Sequence, residues 1–233
     1  MCTVTFIPLQ NNDFILTSNR DEHRLRETIA PQKYTENGVE MVFPKDKKSG
    51  GTWIGTSSKN RLVCVLNGAF EKHKKKNIYR KSRGLIAKEI LKSENFEKYI
   101  IDLNLKEIEP FTMIIVDWNN TQLQCFELIW DEKLKYFNKM NNEPKIWSSS
   151  TLYEASIKEL RKKWFNDWQS SEEKTSESML KFHHLEKGPK EQSILMYRPN
   201  IQTVSVTQVQ KITSKITIYY EDVVHKNSIK TSV

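Results

Sequence analysis

Two apolar runs open the chain, Thr3-Val4-Thr5-Phe6-Ile7 and then residues 14–17, and the polar tetrad Gln10-Asn11-Asn12-Asp13 lies between them. β-Branched and aromatic residues on both sides of a polar turn predict one β-hairpin. With Leu9 and Phe14 flanking the turn, paired positions sum to about 23, which sets Arg20 opposite Thr3 and Asp21 opposite Cys2. The pattern next predicts a loop at Ala30-Pro31, a small hairpin over residues 34–43 around Asn37-Gly38, and a strand starting at Trp53-Ile54. The apolar run of residues 61–66 reads as a strand buried on both faces that ends at Asn67-Gly68. Leu85, Ile86, Ile90 and Leu91 recur at helical spacing behind a Ser82 cap, a second helix is expected over 95–103, and Pro110 stops the chain before the next strand.

Residues 111–118 and 121–130 predict a hairpin around Asn119-Asn120, with short edge strands at 136–138 and 145–147. Ser148-Ser149-Ser150-Thr151 reads as the cap of an amphipathic helix reaching Trp168, with Ala155, Ile157, Leu160 and Trp164 as its buried stripe. A short helix over 178–185 carries His183-His184, which point about 100° apart and are expected at the surface. Residues 203–209 alternate hydroxyl-bearing with apolar side chains, so one face is core and the other offers hydroxyls. Residues 215–220 form a closing strand, and the polar tail 221–233 is expected to fray. The pattern alone is α+β with mixed sheets. No Pro/Gly/Ser-rich linker interrupts it, so residues 1–233 are expected to form a single domain.

Composition narrows the function classes. Hydrophobic residues make up 37% and charged residues 28%, which fits a globular chain with a polar surface. No apolar run approaches the roughly 18 residues of a membrane span, and the N-terminus lacks a signal-peptide pattern, so a cytoplasmic location is expected. Cys2, Cys64 and Cys125 are too few and too scattered for a disulfide framework, and no Cys/His spacing suggests zinc or another metal. The net charge of +8 is mostly lysine. It reads as solubility rather than nucleic-acid binding, because no RNP, OB or helix-turn-helix motif accompanies it. His73-Lys74-Lys75-Lys76 with Arg80, Lys81 and Arg83 is the densest basic stretch. It reads as a solvated loop, with reception of an anionic substrate as the alternative.

Three features together carry chemistry: Cys2 directly after the initiator Met, Asn19-Arg20-Asp21-Glu22 at the end of the second strand, and Gly50-Gly51-Thr52-Trp53-Ile54-Gly55. Removal of Met1 would expose a thiol and a free α-amino group on one residue, a nucleophile with its own base, since the amine titrates near pH 8 and the thiol near 8.5. In this order the motifs resemble the NRDE family, also called the transport and Golgi organisation family, which has the N-terminal-nucleophile (Ntn) hydrolase fold. The resemblance implies a four-layer αββα sandwich of two antiparallel sheets. It implies a hydrolase cleaving an amide or thioester bond of a small acyl substrate, without a cofactor, in which Cys2 attacks, Asp21 fixes the amine and Asn67 helps hold the oxyanion. Asn19, Arg20, Glu22, Trp53 and Ser150 are the expected supporting or substrate-binding residues.

The chain departs from its relatives in two places. Ser150 stands where many relatives have Ser-Asn and where Cys-type Ntn hydrolases place a second oxyanion Asn. Ser18 stands three residues before the Asp, where bile salt hydrolases have Arg, and strand alternation sends the adjacent Arg20 to the face opposite Asp21, leaving substrate binding and a structural ion pair both open for it. The rival reading is a non-catalytic carrier of haem or an amphipathic lipid-like anion on the same fold, since animal relatives are linked to haem trafficking and lipid homeostasis. Cys2 and the histidines are the conceivable haem ligands, but no haem motif is present. Oligomeric state is not readable.

Overall fold

The computed structural model describes residues 3–119 and 122–233. In chain order its strands are β1 (Thr3–Pro8), β2 (Phe14–Glu22), β3 (Thr28–Glu36), β4 (Val39–Asp46), β5 (Ile54–Ser57) and β6 (Arg61–Asn67). Helices α1 (Arg83–Lys92) and α2 (Phe96–Asp102) follow, then β7 (Phe111–Asp117), β8 (Gln124–Trp130), β9 (Lys135–Met140) and β10 (Lys145–Ser148). Helices α3 (Ala155–Ser171) and α4 (Ser176–His183) precede β11 (Gln202–Ile212), β12 (Lys215–Asp222) and β13 (Asn227–Ser232). The fold is α+β, with two sheets whose strand pairs are antiparallel throughout. Among the described residues no sheet is mixed, contrary to the pattern alone; the two antiparallel sheets are those the resemblance implies.

Two compact units divide the chain, one made of the residues up to Arg26 together with Glu143–Val233, the other of Glu27–Asn142. The first holds the six-stranded sheet β10-β1-β2-β11-β12-β13. Its helical face buries Ile7 and Ile15 of the first hairpin among Trp164, Phe165 and Trp168 of α3 and Met179 and Phe182 of α4. The β1–β2 hairpin forms as expected, but its register is one residue tighter: Pro8 faces Phe14 and Thr3 faces Asn19, not Arg20. A 3-10 turn at Gln10–Asn12, with Asn11 and Asn12 at positive φ, accounts for the difference.

Of the stripe expected on α3, Trp164 is buried and Leu160 and Ile157 pack partly buried, while Ala155 is exposed. Arg161, Trp164, Phe165 and Trp168 are buried, which is the i, i+3, i+4, i+7 pattern of one helix face. A buried arginine had been invisible to a hydrophobic stripe. The serine run does not cap α3 either: Glu154 is the N-cap and makes no side-chain cap bond. Ser149 Oγ instead meets Thr151 Oγ1 at 2.9 Å. Nor does the tail fray, because β13 pairs with β12 from Asn227 to Ser232.

The second unit holds the seven-stranded sheet β3-β4-β5-β6-β7-β8-β9. Ile86, Ala87, Ile90 and Leu91 of α1, with Phe96 and Ile100 of α2, pack on Met41, Phe43, Val63, Val65, Met113, Ile115 and Phe126. Residues Ala30 and Pro31, expected in a loop, lie inside β3. The register shifts between Ile29 and Gln32 there, and an edge strand with a bulge is where a sheet accepts proline. Two glycines of the second motif, Gly51 and Gly55, serve close approach, while Gly50 supplies a positive φ. A Cβ on Gly51 would stand 2.6 Å from the backbone of Gly84 in α1.

Candidate active site

The buried polar chemistry of the first unit gathers around β1 and β2, with Thr3, Thr5 and Asn19 reaching α3 and α4 on the helical side. Asn19, Arg20 and Asp21 are at most 3% exposed, although each sits on a strand that apolar residues would stabilise more cheaply. Asp21 accepts hydrogen bonds from the Tyr153 hydroxyl at 2.7 Å and the Thr203 hydroxyl at 2.6 Å. Thr203 is delivered by β11, which faces Asp21 at Thr203 and Arg20 at Ser205, with a bulge between them. Such a bulge re-aims side chains where two neighbours must diverge, and strand alternation puts Arg20 on the face away from Asp21.

Arg161 completes this cluster. Its guanidinium donates to Thr3 Oγ1 at 2.6 Å, to the Gln192 carbonyl at 3.0 Å and to the Ser193 carbonyl. It also lies 3.6 Å from the centre of the Tyr153 ring, a cation–π contact that steadies the phenol serving Asp21. One chain of contacts thus runs from Thr3, the residue after Cys2, through Arg161 and Tyr153 to Asp21.

Asn19 anchors a second group. Its amide nitrogen donates to the carbonyls of His183 and Ile194, at 3.0 and 2.9 Å. Those two bonds fix the amide's orientation, so Asn19 Oδ1, 2.7 Å from His183 Nδ1, must accept. The proton is therefore on Nδ1, and Nε2 accepts from the Thr5 hydroxyl at 2.8 Å. Burial, with His184 and Arg161 nearby, pushes the pKa of His183 down to about 3.

His183 thus corrects the expectation of a surface histidine, since it is wholly buried. The missed signal was its spacing of one and four residues from Phe182 and Met179 on α4, the stripe that packs on the sheet. With both ring nitrogens engaged it is no haem ligand. His184 fits the surface reading better, half-buried with Nε2 2.9 Å from Glu221. Among the described residues, no group of three His, Cys, Asp or Glu side chains is placed to hold a metal ion.

Of the other expected site residues, Glu22 ends β2 and pairs with Arg26 at 3.1 Å. Burial acts to raise its pKa, but the His23 N–H and Arg26 outweigh it and hold the carboxyl below its usual value. Ser150 follows β10, whose Ser148 lies opposite Thr3. Its hydroxyl is buried and has no hydrogen-bond partner among the described residues. Trp53 and Asn67 belong to the second unit: Trp53 is buried before β5 with its carbonyl accepting from Val65 N at 2.7 Å, and half-buried Asn67 ends β6 opposite Phe111. Cys2 lies outside the described residues.

Among solved structures, the chain is similar to a variant of conjugated bile acid hydrolase from Clostridium perfringens, with 9% identity and a TM-score of 0.61 over 100% of this chain and 92% of that one. Penicillin V acylase from Agrobacterium tumefaciens matches at 11% identity and a TM-score of 0.61, covering 100% of this chain and 86% of that one. The Caenorhabditis elegans ortholog of N-acylethanolamine-hydrolyzing acid amidase matches at 13% and 0.58, over 89% and 92%. At these identities the likeness shows the fold, that of the Ntn hydrolases. No curated protein matches in sequence. The family model described as Transport and Golgi organisation 2 matches residues 1–227.

Proposed function

Because the chain belongs to the Transport and Golgi organisation 2 family, we propose that it is an Ntn-type cysteine hydrolase that cleaves an amide or thioester bond of a small acyl substrate with Cys2 as the nucleophile. The observation that carries the reading is the buried run Asn19-Arg20-Asp21, whose Asp21 is linked to Thr3 through Tyr153 and Arg161. Desolvating three polar side chains in a row costs stability, and sequences accept such costs chiefly where a site needs rigid polar groups.

In the proposed reaction the α-amino group of Cys2 takes the thiol proton, and the thiolate adds to the substrate carbonyl carbon. Collapse of the tetrahedral intermediate breaks the bond to the leaving amine or thiol, which takes the proton from the ammonium. Water then adds to the acyl thioester, with the amine as base, and releases the carboxylic acid and the thiol. Asp21 is assigned to fix the α-amino group, Asn19 and Glu22 to support, and Arg20 to substrate binding. Ser150 supports the reading as a buried donor without a partner, at the position where the resemblance places a second oxyanion group. Asn67 and Trp53 are assigned by resemblance alone. The small acyl substrate follows the acylase-like fold and is part of the proposal.

The test starts with intact mass, since retention of Met1 on the purified protein removes the amine base and ends the reading. With Met1 absent, an acyl electrophile should label the wild type at Cys2 with one equivalent and leave Cys2→Ala unlabelled. Asn67→Ala and Ser150→Ala should each slow the acylation by roughly 10- to 1000-fold without changing the stoichiometry. A carrier on this fold would bind haem or an amphipathic anion as tightly in Cys2→Ala as in the wild type and turn nothing over.

A further inference from the structure

Between β6 and α1 the chain runs through residues 68–82 without helix or strand, a length at which loops in compact proteins are usually functional. Residues 70–81 contain six Lys or Arg against one Glu. Several of these cations hold the loop in place: Lys76 pairs with Glu132 of the β8–β9 turn at 2.6 Å, and Arg80 donates to the carbonyls of Asn104 and Lys106 at 2.7 and 3.2 Å. The Phe70 ring meets Tyr136 of β9 edge-on at 5.2 Å. Lys135 binds the Ile101 carbonyl at 2.6 Å and so ties β9 to the end of α2. The loop, the β8–β9 turn and the end of α2 are therefore one continuous rim.

That rim displays what a folded chain normally hides. Ile78 is 84% exposed, Ile101 67%, Leu134 59% and Phe70 52%, four large apolar side chains on one short perimeter. Lys72, Lys74, Lys75 and Lys106 stand among them, exposed and with no ion-pair partner among the described residues. Glu71, Asp102 and Glu107 are the exposed acids on the same rim, too few to reverse its charge. Apolar tips between flexible, strongly hydrated ammonium groups suit a surface that is negative at its face and apolar just beneath. A nucleic acid offers the charge but no apolar layer for Ile78, and an acidic protein surface offers no depth for four such side chains.

We propose that this rim docks the protein on an anionic lipid bilayer, with Ile78 and its apolar neighbours entering the headgroup layer and the lysines meeting lipid phosphates and carboxylates. The proposed association is peripheral and reversible; among the described residues no helix is long and apolar enough to cross a membrane.

Sedimentation with vesicles tests this on the full-length protein. Phosphatidylcholine vesicles containing phosphatidylserine should pull the protein down, vesicles of phosphatidylcholine alone should not, and about 0.5 M salt should release it. The triple variant K72E/K74E/K75E should lower partitioning by about a hundredfold or more. Ile78→Asp should weaken it severalfold at unchanged salt dependence, a loss that a purely electrostatic contact would not show. These side chains are exposed and outside helix and strand, so unchanged circular dichroism and melting temperature separate lost docking from lost folding. Equal binding to neutral vesicles, or an Ile78→Asp variant as tight as the wild type, would overturn the proposal. So would a duplex RNA that holds the protein more tightly than the anionic vesicles.

Discussion

At the residue scale, His183 shows how a titratable group can be used purely as structure. Its folded pKa, about 3, lies below the ordinary histidine value of 6.5. Between those limits the unfolded chain takes up a proton that the native ring refuses, so stability is full above pH 6.5 and falls as pH drops toward 3, by up to about 1.4 kcal/mol per pH unit. His183→Gln, which keeps one donor and one acceptor, should flatten that slope; urea midpoints at pH 7 and pH 5 for both proteins measure it. Asn19→Ala strands the His183 ring and two carbonyls at once and should cost about 2–4 kcal/mol, read from the same urea curves. Tyr153→Phe removes one donor to Asp21 and should cost about 1–3 kcal/mol. If the proposed hydrolase reading is right, it should also slow acylation of Cys2, whereas a purely structural Asp21 leaves that rate unchanged.

At the scale of elements, the contact between the glycine motif and α1 reverses an ordinary rule. Alanine in a helix is normally better than glycine by roughly 1 kcal/mol. A Cβ on Gly84 would stand 2.6 Å from the Thr52 carbonyl oxygen, with backbone on both sides and nothing flexible to give way. Gly84→Ala should therefore destabilise by about 1–3 kcal/mol, and Gly51→Ala likewise, by guanidinium melts. A stabilised Gly84→Ala protein would show that α1 shifts freely against the motif. The same contact explains why Gly50-Gly51-Thr52-Trp53-Ile54-Gly55 leads into a strand and not a phosphate loop: its second glycine is spent on helix packing.

For the whole molecule, the decisive feature is that the first unit is assembled from both ends of the chain. β1 and β2 are flanked by β10 and β11, so the Asn19–Asp21 cluster exists only once the chain's last third has folded back. β13 covers the outer edge of β12, with Ile229 partly exposed. Truncation after Lys226 removes β13 and should leave the other strands and helices intact while opening the β12 edge, which favours strand-to-strand association. Light scattering of the truncated and full-length proteins should report a concentration-dependent rise in mass for the truncated one relative to the full chain.

Much of this was written locally. Hairpins around Asn37-Gly38 and Gln10–Asp13, the Ser82 cap, the buried strand 61–66 and the helical spacing of α1 follow from side-chain period and turn chemistry, which neighbouring residues specify among themselves. The motifs at Asn19–Glu22 and Gly50–Gly55 were legible for the same reason, and they sufficed to identify the family and its α+β fold. Partners distant in the chain were not legible. Arg161 as a buried residue, Tyr153 and Thr203 as the donors to Asp21, and His183 as the partner of Asn19 depend on contacts across more than a hundred positions. Each is a polar side chain whose burial is tolerable only because a distant carbonyl, hydroxyl or ring meets it, and a one-dimensional pattern scores such residues as surface. The register of the first hairpin and the pairing of the tail were likewise settled by a turn's left-handed asparagines and by an open strand edge, features that exist only once the sheet has formed.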